Sequence, residues 1–131
     1  MNITFFDLDD QTNPLNGAVI GDNSRLFEVL NSMKDRLPVI CELVGENGYC
    51  LDVGTGKVGC VQYSRCDGTP PYLVAVSRKD EQKDGYYDFL CGGTPTPVPA
   101  RECMPFDEVM EVVRYFRETG DLHPGVSWEE I

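Results

Sequence analysis

Apolar positions along this chain follow two different periods, and the change from one to the other divides it into segments. From Ser24 to Arg36 the apolar residues Leu26, Phe27, Leu30 and Met33, with Leu37 just beyond, recur at three-to-four spacing, which predicts a helix with one dry face. Asp22, Asn23 and Ser24 precede it as candidate N-caps, and Pro38 closes it. After Pro38 the period shortens. Runs rich in β-branched and aromatic residues, separated by Gly, Asn, Asp and Pro, predict strands at Val39–Gly45, Gly48–Val53, Lys57–Ser64, Tyr72–Arg78 and Tyr86–Cys91. The connections at Glu46-Asn47 and Thr55-Gly56 are short enough for hairpins, so neighbouring strands should run antiparallel. Gly92 to Pro99 carries prolines at positions 95, 97 and 99, each without a ladder donor, and is expected to be an extended edge segment or loop.

The helical period returns at Pro105. Phe106, Val109, Met110, Val113 and Phe116 form the dry face, with Glu111, Arg114 and Glu118 on the wet side. Asp107 and Glu108 place negative charge in the first turn, and Gly120 is the stop. Ahead of the first helix, Ile3–Leu8 and Gly17–Ile20 are short apolar runs that predict strand pieces or an irregular lead-in. The whole reads as an α+β fold: an antiparallel β-meander sheet with an N-terminal and a C-terminal helix packed on it. At 131 residues it is expected to form one domain, residues 1–131.

Charge narrows the choice of partner. Twenty-two acidic against eleven basic residues leave a net charge of -11, and a chain this acidic repels phosphate, so direct nucleic-acid binding is disfavoured. The excess is uneven. No base precedes Arg25, and after Arg101 eight acids face only Arg114 and Arg117. A basic partner or plain solubility would each account for it. The first ten residues hold no base and no clean apolar core, unlike a secretory signal, and no run is long enough to span a membrane. The expected compartment is the cytoplasm, with no membrane partner, and the six cysteines are accordingly expected to be reduced structural thiols.

Several motifs suggest chemistry and fail on context. Gly54-Thr55-Gly56-Lys57-Val58-Gly59 has the spacing of a dinucleotide fingerprint, but a strand-like run follows where a helix N-terminus must hold the pyrophosphate. It is read as a hairpin turn. Asp7 and Asp9 have the D-x-D spacing of phosphatases that use an aspartate nucleophile, yet the expected fold and downstream residue are missing, and a solvated acidic turn is the preferred reading. His123, the single histidine, lies in a Leu-His-Pro-Gly loop, and no two cysteines form a C-x-x-C pair. No catalytic residue, metal site or cofactor is expected.

The C-terminal stretch carries a family likeness. Gly92-Gly93-Thr94, then a helix with Val112, Val113, Tyr115 and Phe116, then Thr119-Gly120, Pro124 and Val126-Ser127-Trp128-Glu129-Glu130-Ile131 resembles the bacterial immunity-protein-one family. The likeness runs from about Gly17 onward, with the proline after Gly120 one place later than the family pattern. It implies a protein encoded beside a polymorphic toxin, typically a zinc-dependent nucleic-acid deaminase, which it binds and neutralises as a non-enzymatic inhibitor. Such a toxin draws a strand along a basic channel, and an acidic protein occupies that channel by offering carboxylates in place of phosphates. Immunity to a nuclease toxin is the first alternative, and a small metal-dependent hydrolase using Asp7 and Asp9 the second. Trp128 is expected to anchor the C-terminus against the core.

The candidate partner-binding residues lie between positions 67 and 88. There Asp67, Asp80, Glu81, Asp84 and Asp88 are interleaved with Tyr72, Tyr86 and Tyr87. Tyrosines are enriched at binding hot spots and carboxylates complement a basic channel. A solvated loop with tyrosines turned inward is the competing view.

Overall fold

The computed structural model describes residues 1–79 and 84–131. Among them the chain runs β1 (Ile3–Asp7), β2 (Val19–Ile20), α1 (Asn23–Lys34), β3 (Val39–Gly45), β4 (Tyr49–Thr55), β5 (Val58–Arg65), β6 (Leu73–Val76), β7 (Tyr86–Cys91), β8 (Thr94–Pro99), β9 (Cys103–Pro105), α2 (Phe106–Thr119) and β10 (Ser127–Glu130). The sheet order is β10-β6-β5-β4-β3-β1-β2, with β9 beside β5 and a β7–β8 hairpin attached through β3. Antiparallel pairing of β3, β4, β5 and β6 is the expected meander. The fold is α+β, mostly antiparallel sheet with two helices.

Alternation along the strands sets the core. In β3 the residues Val39, Cys41 and Leu43 are buried, as are Leu51 and Val53 in β4 and Val61 and Tyr63 in β5, and the cross-strand register puts all of them on one sheet face. Leu26, Val29, Leu30 and Met33 of α1 and Phe106, Val109, Val112, Val113 and Phe116 of α2 cover that face. At roughly 1.5–3 kcal/mol for each fully buried large apolar side chain, this layer is the main driving force for folding.

Local chemistry fixes the helix ends. Asp22 caps α1, its carboxylate accepting the Arg25 N–H at 2.7 Å. The helix stops at Lys34, so Leu37, expected on the dry face, lies past its end and is exposed. Pro105 stands at the N-cap of α2, and Gly120 ends the helix in the left-handed region at φ 76°. The C-terminus adds a strand that periodicity does not show. β10 pairs with β6, and Trp128 lies edge-to-face on Tyr63 while its indole N–H donates to the His123 carbonyl at 3.0 Å.

Three further expectations need correction. Cys50 and Cys66 form a disulfide, so those two are not free thiols. The β3–β4 turn and the loop after β5 meet at the same end of the sheet, where the Cys66 N–H donates to Gly48 O, and this brings the two cysteines together. Asp7 is not a solvated turn residue. Its buried carboxylate accepts the N–H groups of Asp9 and Asp10, the Asn13 side-chain amide and the Arg36 guanidinium at 2.9 to 3.1 Å. It orders the segment after β1. Finally, the last predicted strand, β7, does not extend the meander but meets β3 in parallel at Val39–Leu90. The following segment is a strand, β8, which among the described residues pairs with β7 alone. Its prolines at alternate positions leave its outer edge without donors, which fits the expected edge segment.

Candidate functional site

The helices cover one face of the sheet, and the other face carries the polar side chains. Cross-strand register lines up Phe6, Glu42, Asp52, Gln62, Val74 and Glu129 as one row over six strands, β1, β3, β4, β5, β6 and β10. Glu42 and Asp52 therefore stand directly opposite each other, an arrangement of like charges that destabilises a sheet. Gln62 is their polar neighbour and Phe6 ends the row partly exposed.

The β7–β8 hairpin lies across this face. Its tip is a Gly92-Gly93 turn with both residues at positive φ, the conformation of a tight two-residue hairpin. The Gly92 N–H donates to Leu8 O and the Gly93 N–H to the Asp9 carboxylate at 2.7 Å, so the tip is clasped to the chain after β1. At its base the Ala100 N–H donates to Gly85 O. Phe89, fully buried, packs against Gly54, where a Cβ would come within 2.7 Å of its ring.

Between hairpin and sheet is a cavity of about 280 Å³. Ile40, Val74, Pro97 and Val98 form apolar walls, and Asp52, Gln62 and Glu102 supply the polar groups. Among the described residues no lysine or arginine lines it. Asp52 Oδ1 is buried there without a hydrogen-bond partner among the described residues. Burial, and then the adjacent Glu42 carboxylate, push the Asp52 carboxyl up to about 7. Burial also pushes Glu102 up, with Arg101 only partly opposing it. Arg101 is engaged elsewhere, paired to Glu129 at 2.7 Å.

The candidate partner-binding residues separate into two groups. Asp84, Tyr86, Tyr87 and Asp88 lie together on β7 and the segment entering it, all exposed, with Tyr86 at 71% and Tyr87 at 41%. Tyr87 and Asp88 border a depression shared with Pro38, just before β3, and with Lys57 and Val58 at the β4–β5 turn. Asp67 and Tyr72 stand at the other end of the sheet, beside the β3–β4 turn, a separation of one β4 length, about 20 Å for seven residues. They are also engaged locally, Asp67 with Thr69 and the Tyr72 hydroxyl with Gly68 O. Asp80 and Glu81 lie outside the described residues.

The row of Glu42, Asp52 and Gln62 escapes a reading of composition and loops. Its signal is arithmetic: the three sit ten residues apart at polar positions of apolar strands, and hairpin turns centred at 47 and 57 make residues ten apart cross-strand neighbours. Two of the remaining thiols, Cys41 and Cys60, show little nucleophilic character. Burial pushes Cys60 up to about 12 and raises Cys41 as well, so both are thiols at neutral pH. His123 is held by the Gly125 N–H at 2.8 Å and by an edge contact with Tyr115. Among the described residues no three His, Cys, Asp or Glu side chains group to hold a metal, and no helix is long and apolar enough to cross a membrane.

The site is thus an acidic, partly apolar surface with a hairpin of exposed tyrosines. No curated protein matches the chain. The model of immunity protein Imm1 matches residues 13–130, taking in every strand from β2 to β10 and both helices, and the chain belongs to that family of immunity proteins.

Proposed function

We propose that this protein neutralises a cognate toxin of the nucleic-acid deaminase type by occluding its substrate channel, without catalysis of its own. The observation that carries this is the face just described: Glu42 and Asp52 side by side on the sheet, no base lining the cavity among the described residues, and exposed tyrosines beside it. A deaminase channel is basic because it tracks phosphates, and opposite charge favours and speeds docking. The docking patch is Asp84, Tyr86, Tyr87 and Asp88 together with the acidic row. Asp67 and Tyr72 contribute less, being 20 Å or so away along β4.

Asp7 and Asp9, the pair a hydrolase would require, serve the fold: Asp7 is buried among four donors and Asp9 holds the hairpin tip. The place of action on this reading is the cytoplasm, which requires that the chain stay folded when Cys50 and Cys66 are reduced. The test is co-purification with the toxin domain encoded beside it, followed by assays of base deamination and of strand cleavage with and without the protein. A stable complex in which deamination is suppressed is the expected result. A complex that suppresses strand cleavage instead would replace the deaminase with a nuclease, and no complex would overturn the proposal.

A further inference from the structure

The cavity between the hairpin and the sheet has features of its own that the broad acidic face does not explain. At about 280 Å³ it lies just below the size that holds a drug-sized ligand or a nucleotide. It suits one long side chain. Its walls are apolar at Ile40, Val74, Pro97 and Val98, while Asp52 and Glu102 are its two lining carboxyl groups. Asp52 Oδ1 has no donor, although a buried carboxylate oxygen ordinarily has one. The described elements around Asp52 present Glu42 on β3, Cys60 and Gln62 on β5, Cys91 on β7, Thr96 on β8 and Glu102 before β9, and neither the Gln62 amide nor the Thr96 hydroxyl bonds Asp52 Oδ1. None is a cation.

We infer that this cavity is the receptor for a single arginine side chain of the toxin, its methylene stem lying on the apolar walls and its guanidinium donating to Asp52 and Glu102. Arginine is the chosen occupant because its planar fork has five donors and can serve two carboxylates at once, and it is less strongly hydrated than an ammonium. The stem matches the walls, since long basic side chains bury their methylenes while their heads seek charge. The missing partner is thereby supplied from outside. In the free protein the uncompensated carboxylates cost stability, and binding relieves that cost. The inference rests on the proposed inhibitor role for the arginine's source, but the cavity's preference for a guanidinium is a property of this chain alone.

The experiment separates the two. Butylguanidinium is titrated into the protein at pH 8 while backbone amide spectra are recorded, with butanol as the neutral counterpart. Saturable shifts of the amides of Asp52, Gln62 and Val98 with butylguanidinium, absent with butanol, are expected. Affinity should fall at least tenfold in Asp52→Asn and also when the wild type is taken to pH 5.5, where Asp52 is protonated. Asp52→Asn should keep the wild-type spectrum away from the cavity, and Glu102→Gln serves as a second variant if it does not. Equal shifts with butanol, no saturation at pH 8, or unchanged affinity in both variants would overturn the inference. If the cation binds but the toxin is not captured, the inhibitor role fails and the cavity's chemistry stands.

Discussion

Two aspartates with opposite environments give opposite pH dependences. Burial alone would raise the Asp7 carboxyl, but the Asn13 amide, the Asp10 and Asp9 N–H groups and Arg36 outweigh it and hold it below the usual range. A lowered folded value contributes stability above the unfolded pKa of about 3.9, and that stability is lost as pH falls through the folded value. Asp7→Ala should therefore cost about 2–3 kcal/mol at pH 7, by leaving its donors unsatisfied, and urea midpoints of the two proteins should converge below about pH 4. Asp52 behaves the other way. Its folded value of about 7 lies above the unfolded one, so its stabilising contribution is greatest at acid pH and falls away as pH rises toward 7 and beyond. Asp52→Asn should accordingly gain on the wild type by roughly 1–3 kcal/mol between pH 4 and pH 8, measured as the difference in unfolding free energy. A gain that does not depend on pH would show that the carboxylate is not the source of the strain.

The elements divide between those that local pattern specifies and those that only tertiary contact creates. Both helices, the four-strand meander and the edge position of the proline-rich segment are legible in sequence, because each rests on side-chain period, caps or missing donors. β9 and β10 are not, being short strands with no period of their own that exist because β5 and β6 have free edges to pair with. The crossing of the β7–β8 hairpin is likewise set by Phe89 against Gly54 and by the clasp of Gly92 and Gly93 to Leu8 and Asp9, contacts between residues far apart in the chain. The disulfide is not legible in the sequence for the same reason. Spacing of Cys50 and Cys66 shows nothing until the two turns are seen to meet. Closing a loop of this length is worth about 3 kcal/mol on the chain-entropy account. Reduction, or Cys50→Ala with Cys66→Ala, should lower stability by about 2–3 kcal/mol while the circular dichroism of the folded state persists. Loss of the fold on reduction would conflict with a cytoplasmic site of action.

At the scale of the whole molecule the decisive property is where the charge sits rather than how much there is. Half of the candidate patch was visible in the alternation of acids and tyrosines around β7; the acidic row was not, because it becomes a row only once three hairpin strands align. The helical side is acidic too, but there Glu111 and Glu118 are paired, whereas Glu42 and Asp52 on the sheet face each other. Arg114 bridges Glu111 at 2.7 Å and Glu118 at 3.1 Å on α2. An interface steered by unpaired carboxylates should associate more slowly as salt rises, with dissociation changing less. The most direct measurement is therefore the association rate of the cognate toxin with two charge-reversed proteins. One carries Asp84→Lys and Asp88→Lys on the hairpin, and the other Glu111→Lys and Glu118→Lys on α2. Slower association and weaker binding for the hairpin pair, with the folding midpoint unchanged and the helix pair close to wild type, is the predicted result. Equal loss in both would mean that overall charge alone draws the toxin, and no loss in the hairpin pair would contradict a toxin seated on this face.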